Sequence, residues 1–202
     1  MLKKIDMDYV VFEVNSTIVR GNAEPDDNLN QSSLVIKTYF SPVDEDDGDI
    51  IKVATVKTLS MHNYEDRIGS FSLFDCFDAH SQLACTSFEL VNSAAGGESG
   101  IIDDYFSDKH PLVLVTRLDI EDEFKGQEVE IISLMVDALK RQFGSGTFCF
   151  GLAPELMNYD SNGAVENRRS ILDALNSNGF TVGSKPSKVF LINDASPFWL
   201  LM

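Results

Sequence analysis

The strongest constraint on this chain is a change of hydrophobic period in its second half. Residues 110–120 carry a continuous apolar centre, which is typical of a strand that is covered on both faces. After a polar turn, apolar residues recur at steps of three and four from 127 to 143 and predict an amphipathic helix. A second buried strand is predicted at 147–153. This succession predicts an α/β unit whose two strands are parallel neighbours. The helix residues predicted to be buried are Val129, Ile132, Val136, Leu139 and Phe143.

The first half of the chain predicts strands followed by one long helix. A period of two and many β-branched residues indicate the strands, and apolar residues at helical spacing follow from Ser72. The segments on either side of the Gly/Ser-rich stretch at 92–100 are too short for two independent cores, so we expect one domain over residues 1–202. The remaining predicted elements are strands at 9–20, 33–40, 50–61 and 188–193, and helices at 72–91 and 166–178.

Two further segments allow alternative interpretations. The acidic run from Asp44 to Asp49 predicts a solvated turn between two strands, with a calcium loop as the alternative. The calcium loop lacks the later bidentate glutamate and a helix on each side, so the turn is favoured. The apolar tail from Ser196 to Met202 is interpreted as the end of a packed strand, with a peptide that docks on a partner as the alternative.

Charge and cysteine content exclude several classes of function. The formal net charge is −16 and the sequence pI is about 4.4, so we expect neither direct binding to nucleic acid nor binding to an anionic membrane. An acidic protein of this kind can engage a basic partner or imitate the charge of DNA. Three cysteines without a CxxC pair argue against disulfides and zinc, and predict a cytoplasmic protein with buried thiols.

Residues 117–135 resemble the acetyl-CoA-binding motif of the GCN5-related N-acetyltransferases, the GNAT superfamily. In that family a central strand ends in a short turn, and a loop of pattern Q/R-x-x-G-x-G/A opens the next helix, as Lys125-Gly-Gln-Glu-Val-Glu130 follows the strand here. The family's next strand often ends near Ala-Pro, as in Leu152-Ala-Pro154 here, and its short helix ends in Gly-Phe, as in Gly179-Phe180. The resemblance covers residues 111–193. It implies an α/β fold with a mixed, mostly antiparallel central sheet, splayed at the centre, and helices on both faces.

The resemblance also implies a cofactor site for acetyl-CoA. In the family, backbone N–H groups of the loop hold the pyrophosphate at the start of a helix. Matching Lys125 to the first loop position places Glu128 and Glu130 where the family has glycine and a second small residue. Side chains obstruct the approach of a phosphate there and carboxylates repel it, so we expect acetyl-CoA to bind weakly or not at all. The implied cofactor-binding residues are Leu118, Ile120, Lys125, Gly126, Gln127, Glu128, Val129 and Glu130.

Candidate catalytic residues follow from the same resemblance. Many family members use a tyrosine of the short helix as general acid, but Leu175 stands at that position in this chain. Tyr159 is the alternative acid. Asp119 and Glu121, near the end of the central strand, are candidates for the base that accepts an ammonium proton, with exposed charges in a turn as the competing interpretation.

Three classes of function therefore remain open. The first is an acyl-CoA-dependent N-acetyltransferase that acts on an amine. The second is a pseudoenzyme that keeps the GNAT scaffold for binding, and the third is an acidic inhibitor or decoy of a basic protein. The motifs of serine hydrolases, zinc proteases, P-loop proteins and Rossmann folds do not occur, and His62, His80 and His110 do not form a metal-ligand spacing.

Overall fold

The structure, a computed structural model, describes residues 3–18, 24–40, 48–61, 73–82, 84–86, 88–89, 112–143, 149–152, 173–178, 181–182 and 190–193. The strands are β1 (Val10–Thr17), β2 (Asn30–Phe40), β3 (Asp49–Met61), β4 (Leu112–Ile120), β5 (Cys149–Leu152), β6 (Thr181–Val182) and β7 (Phe190–Asn193). The helices are α1 (Leu73–His80) and α2 (Glu128–Phe143), with 3-10 turns at Pro25–Asn28 and Asp122–Phe124. Residues 173–177 form a further helical turn.

The described strands form one mixed sheet in the order β1-β2-β3-β4-β5-β7-β6. Strands β1 to β4 pair antiparallel in chain order, and β5, β7 and β6 also pair antiparallel. Among the described strands, only β4 and β5 pair in parallel, from Leu112 opposite Cys149 to Val115 opposite Leu152. The prediction that these two strands are parallel neighbours is confirmed, and the chain has a mixed α/β fold with a mostly antiparallel sheet.

Helix α2 packs on one surface of this sheet. The register places Leu34 opposite Val56 and Ile36 opposite Ala54, so these four side chains share a surface, which we call the α2 face. They belong to the apolar core cluster together with buried residues of α2 and β4. The residues that α2 contributes are Ile131, Ile132, Leu134, Met135, Val136, Ala138 and Leu139.

The buried stripe of α2 differs from the predicted one at its two ends. Ile132, Val136 and Leu139 are buried as predicted, but Val129 is 45% exposed and Phe143 is only half-buried. Positions 128, 132, 135 and 139 lie on one helical stripe, so the first turn directs Glu128 toward the core and leaves Val129 about 100° away from it. The prediction for Val129 was wrong because a charged residue occupies the inward position of that turn.

The opposite surface of the sheet carries polar side chains on β1 and β2 and the buried Leu59 and Leu114 on β3 and β4, and it is partly covered by α1. Asn15, Ser33 and Lys57 lie side by side on three strands, as do Thr17, Gln31 and Leu59; we call this surface the α1 face. His80 at the end of α1 lines a cavity together with these side chains, so α1 lies over this surface.

The helix predicted at 72–91 is interrupted. Helix α1 ends at His80, and Ser81 is not helical. The Ser81 hydroxyl accepts a hydrogen bond of 3.1 Å from the N–H of Ala84, which is the bond that a helix-capping serine makes to a new helical turn. Phe77 stacks on Phe88 with ring centroids 5.0 Å apart, so the helical residues on both sides of the break pack together.

Other boundaries differ in smaller ways. Strand β2 begins at Asn30 rather than 33, and a 3-10 turn at Pro25–Asn28 precedes it. Strand β6 was not predicted, because two residues carry no periodicity. Positions 44–47 of the acidic run, the stretch at 92–100 and the tail at 196–202 lie outside the described residues. Among the described helices, none is long and apolar enough to cross a membrane.

Helix α2 supplies a first stability test. Replacing Leu139, which is 0% exposed, by alanine should lower the free energy of unfolding by about 2–5 kcal/mol, because the change leaves a cavity in the core. Val129→Ala is the control, and it should change stability by less than about 0.5 kcal/mol, because Val129 is exposed and alanine is the better helix former. Urea unfolding of both variants measures the difference. Equal losses would show that α2 does not present this stripe to the sheet.

Two buried threonines on the α2 face supply a second test. The Thr38 hydroxyl accepts the N–H of Asp6 at 3.0 Å and lies 3.2 Å from the carbonyl oxygens of Asp6 and Tyr9. The Thr58 hydroxyl has no hydrogen-bond partner within the described part of the chain. Thr38→Val should cost about 0.5–1.5 kcal/mol, because it removes the buried hydroxyl that accepts the N–H of Asp6. Thr58→Val should change stability by less than about 0.5 kcal/mol, since no bond is lost. Chemical denaturation distinguishes the two, and a large loss for Thr58→Val would contradict the assignment.

Candidate functional site

The predicted cofactor loop lies between β4 and α2. The 3-10 turn at Asp122–Phe124 follows β4, and Gly126 then adopts a left-handed φ of 93° before α2 begins at Glu128. A side chain at Gly126 would meet no atom within 4 Å, so glycine is favoured there by backbone conformation and not by lack of space. The predicted residues 125–130 therefore lie at the start of a helix, as the resemblance implies.

The backbone N–H groups just before α2 already have acceptors. Those of Phe124, Lys125 and Gln127 donate to the carbonyl oxygens of Glu121, Asp122 and Phe124, at 2.9, 3.4 and 3.2 Å. The N–H of Gly126 donates to a carboxylate oxygen of Glu128 at 2.9 Å. A loop that holds a pyrophosphate must direct several N–H groups at the ligand, but here four successive groups are used inside the protein.

Glu128 is the central residue of this arrangement. It is 2% exposed, and its carboxylate stands at the start of α2, where the helix dipole favours a negative charge. The carboxylate thus provides, from within the chain, the negative charge and the acceptor oxygen that a bound phosphate would otherwise provide. A second anion at this position would be repelled by the first.

The side chain of Gln127 fixes the N-terminal segment to the same loop. Its amide nitrogen donates to the carbonyl oxygen of Lys3 at 2.6 Å, and its carbonyl oxygen accepts the N–H of Ile5 at 2.9 Å. Lys3 also donates its backbone N–H to the carbonyl oxygen of Glu123 at 2.8 Å, and its ammonium pairs with the Glu123 carboxylate at 3.1 Å. Residues that the resemblance assigns to a cofactor therefore make structural contacts here.

The two candidate bases are engaged in ion pairs. Asp119 accepts two hydrogen bonds from the Nε–H of Arg117, at 2.8 and 2.7 Å, and Glu121 pairs with the ammonium of Lys52. Both pairs are solvent-exposed, so each contributes little to stability. Each candidate base is therefore already in contact with a cationic side chain of the protein.

The other predicted residues are placed as follows. Leu118 is buried in the core cluster, Ile120 packs against that cluster, and Glu130 is exposed. The ammonium of Lys125 pairs with Asp122 at 2.6 Å. Tyr159, the alternative acid, lies outside the described residues.

Thiol and metal chemistry find little support in the part of the chain that is described. Cys76 and Cys85 are buried cysteines, as predicted. Burial raises the pKa of the Cys85 thiol, and a hydrogen bond with Asp78 and the charges of Glu89 and Asp78 raise it further, so the reactive thiolate is disfavoured. No group of three His, Cys, Asp or Glu side chains among the described residues is arranged to hold a metal ion.

Sequence reasoning missed a cavity on the α1 face. It has a volume of about 650 Å³, and Asn15, Gln31, Ser33 and Lys57 contribute to its floor. The sequence carries a signal for this polar surface, because polar residues occupy alternate positions of β1 and β2 and side chains at alternate positions of a strand share one face. Only the pairing of the strands brings these positions together.

Comparison with known proteins gave no match: no family model, no curated protein and no solved structure is significantly similar to this chain.

The role of Glu128 can be tested on the free protein. Glu128→Ala should lower the free energy of unfolding by about 1–3 kcal/mol, because it removes a charged acceptor from the N–H of Gly126 at a buried position. Glu130→Ala is the matched control from the same helical turn, and since Glu130 is exposed it should cost less than about 0.5 kcal/mol. Thermal and urea unfolding report the difference. Similar values for both variants would show that the Glu128 carboxylate is not part of the folded loop.

Proposed function

We propose that this chain is a GNAT-like protein whose cofactor loop is closed by its own side chains, and that it acts by binding a partner rather than by transferring an acetyl group. Its scaffold is supported by the parallel pair of β4 and β5, the turn and helix that follow β4, and the antiparallel strands on both sides of that pair. These are the features that the family resemblance implies for the acetyl-CoA unit. The splayed centre of the sheet belongs to the same proposal.

One observation carries the non-catalytic part of the proposal. The buried carboxylate of Glu128 accepts the N–H of Gly126 in the segment where the family binds pyrophosphate. An acetyl-CoA molecule would have to displace this bond and bring its phosphates next to a buried negative charge. Both costs oppose binding, and neither is offset by Lys125, whose ammonium pairs with Asp122.

The chemistry of the partner is inferred from charge. With 32 acidic and 16 basic side chains, the protein attracts basic surfaces at long range and repels nucleic acid and anionic lipid. A basic protein, for which this chain is an inhibitor or a decoy, fits that balance. The competing function, an N-acetyltransferase for an unknown amine, has the strand–turn–helix arrangement after β4 in its favour.

Titration with acetyl-CoA by calorimetry decides between the two functions. The wild type should bind with a Kd above about 100 μM, weaker than about −5.5 kcal/mol. Replacing both Glu128 and Glu130 by glycine should give measurable binding that strengthens at low salt, because two negative charges leave the anion site. Glu130→Gly alone is the control, because it keeps the bond between Glu128 and Gly126 and should bind as weakly as the wild type. Tight binding by the wild type would overturn the proposal and favour the enzyme.

The basic partner is tested separately with an oligolysine peptide as probe. Binding should be detectable at low ionic strength and should fall steeply as salt is added, because the attraction is between exposed charges. An oligoglutamate peptide of the same length is the control and should not bind. Failure of oligolysine to bind at low salt would contradict an electrostatic role, whatever the result with acetyl-CoA.

A further inference from the structure

The cavity on the α1 face has the size and the walls of a ligand site. Two rows of cross-strand partners form its floor: Asn15, Ser33 and Lys57 in one, and Thr17, Gln31 and Leu59 in the next. The end of α1 and the residues after it form a wall. A volume of about 650 Å³ lies in the range of small-molecule sites in proteins.

The wall continues the polar character of the floor. His80 and Ser81 line the cavity from the break that follows α1, and Ala84 is the apolar residue beside them. Because the capping bond from Ala84 to Ser81 holds this break in place, the wall has a defined position relative to the helical residues around it. The lining thus combines hydroxyl, amide and imidazole groups, which can donate to and accept from a hydroxylated molecule.

The charge of the lining is the opposite of that of the whole chain. No described aspartate or glutamate lines the cavity, although the chain has 32 acidic residues. Lys57 brings an ammonium group to the floor. In a protein with a net charge of −16, a cavity with a cation and with no carboxylate among its described lining residues is a place where a small anion is not repelled by them at contact.

Lys57 is also distinguished by its lack of a counter-ion. Four cationic side chains are described on β2, β3 and β4, and three of them pair with a carboxylate: Lys37 with Glu13, Lys52 with Glu121 and Arg117 with Asp119. Within the described residues Lys57 pairs with none.

The strand register places a second cationic side chain beside Lys57. Lys57 stands directly opposite Arg117 in the pairing of β3 with β4. Asp119 pairs with Arg117 and offsets its charge, so among the described residues Lys57 is the cation of the two that remains available to an anion.

We propose that this cavity binds a small hydroxylated anion of the sugar-phosphate or sugar-acid class. The ammonium of Lys57 contacts the anionic group, and Asn15, Gln31 and Ser33 bind the hydroxyl groups. The site lies on the α1 face, away from the loop at 125–130. It therefore goes beyond the proposed function and does not depend on whether acetyl-CoA binds.

The test uses the full chain with glucose 6-phosphate, ribose 5-phosphate and gluconate as probes, followed by amide NMR spectra and calorimetry. At least one of them should bind at millimolar concentration and shift the amide signals of Asn15, Gln31 and Ser33. Lys57→Gln should weaken that binding by about tenfold or more, since it removes a charge-assisted hydrogen bond. Lys52→Gln is the matched control, because it removes the same charge from the same strand outside the cavity, and it should weaken binding by less than about threefold.

Three results would overturn the proposal. The first is that none of the three probes shifts the amide signals of the cavity. The second is an equal loss of affinity in the Lys57 and Lys52 variants, which would indicate attraction by overall charge. The third is that inorganic phosphate binds as tightly as the sugar phosphates, which would remove the role of the hydroxyl-lined floor. Because none of these experiments involves acetyl-CoA, their failure is distinguishable from failure of the proposed function.

Discussion

The packing of α2 against β2, β3 and β4 is the contact on which the rest of the described structure depends. It buries Ile131, Ile132, Met135 and Leu139 on a sheet surface made of Leu34, Ile36 and Val56. Burial of this much apolar surface is the main favourable term in folding, and it fixes both the helix axis and the point at which the helix leaves β4. The intervening turn and the N-terminal segment that Gln127 binds are positioned as a consequence.

The same packing determines the chemistry of the loop. Because the helical stripe that faces the core passes through position 128, the glutamate there is drawn into the protein, and its carboxylate needs a donor in place of water. The N–H of Gly126 supplies that donor. A side chain at a position that the family resemblance assigns to cofactor binding thus makes an internal contact with the backbone just before the helix.

The two sheet surfaces divide the remaining roles. The α2 face holds the apolar core cluster, whereas the α1 face carries amide, hydroxyl and cationic side chains beside the buried Leu59 and Leu114. An acidic exterior favours a basic partner by long-range attraction, and the cavity without described acids favours a small anion by contact. These two preferences act over different distances and on different surfaces, so they are compatible in one protein.

The sequence by itself determined the elements that rest on local periodicity. It predicted β4, α2 and β5, the parallel pairing of the two strands, the buried positions 132, 136 and 139, and the position of the loop at 125–130, because apolar spacing and turn residues are local signals. The exposure of Val129, the break after His80 and strand β6 were not predicted. Val129 is exposed because a charged residue occupies the inward position of that turn. The break after His80 arises where a serine hydroxyl replaces a helical bond, and the two residues of β6 are too few to show a pattern.

Only the tertiary structure decided three features of the candidate sites. They are the bond from Gly126 to Glu128, the counter-ions of Asp119 and Glu121, and the cavity beside Lys57. Each of these features requires side chains from different parts of the chain, or from successive turns, to come within hydrogen-bond distance of one another. Strand register and helix rotation determine which side chains meet, and both are set only when the core packs.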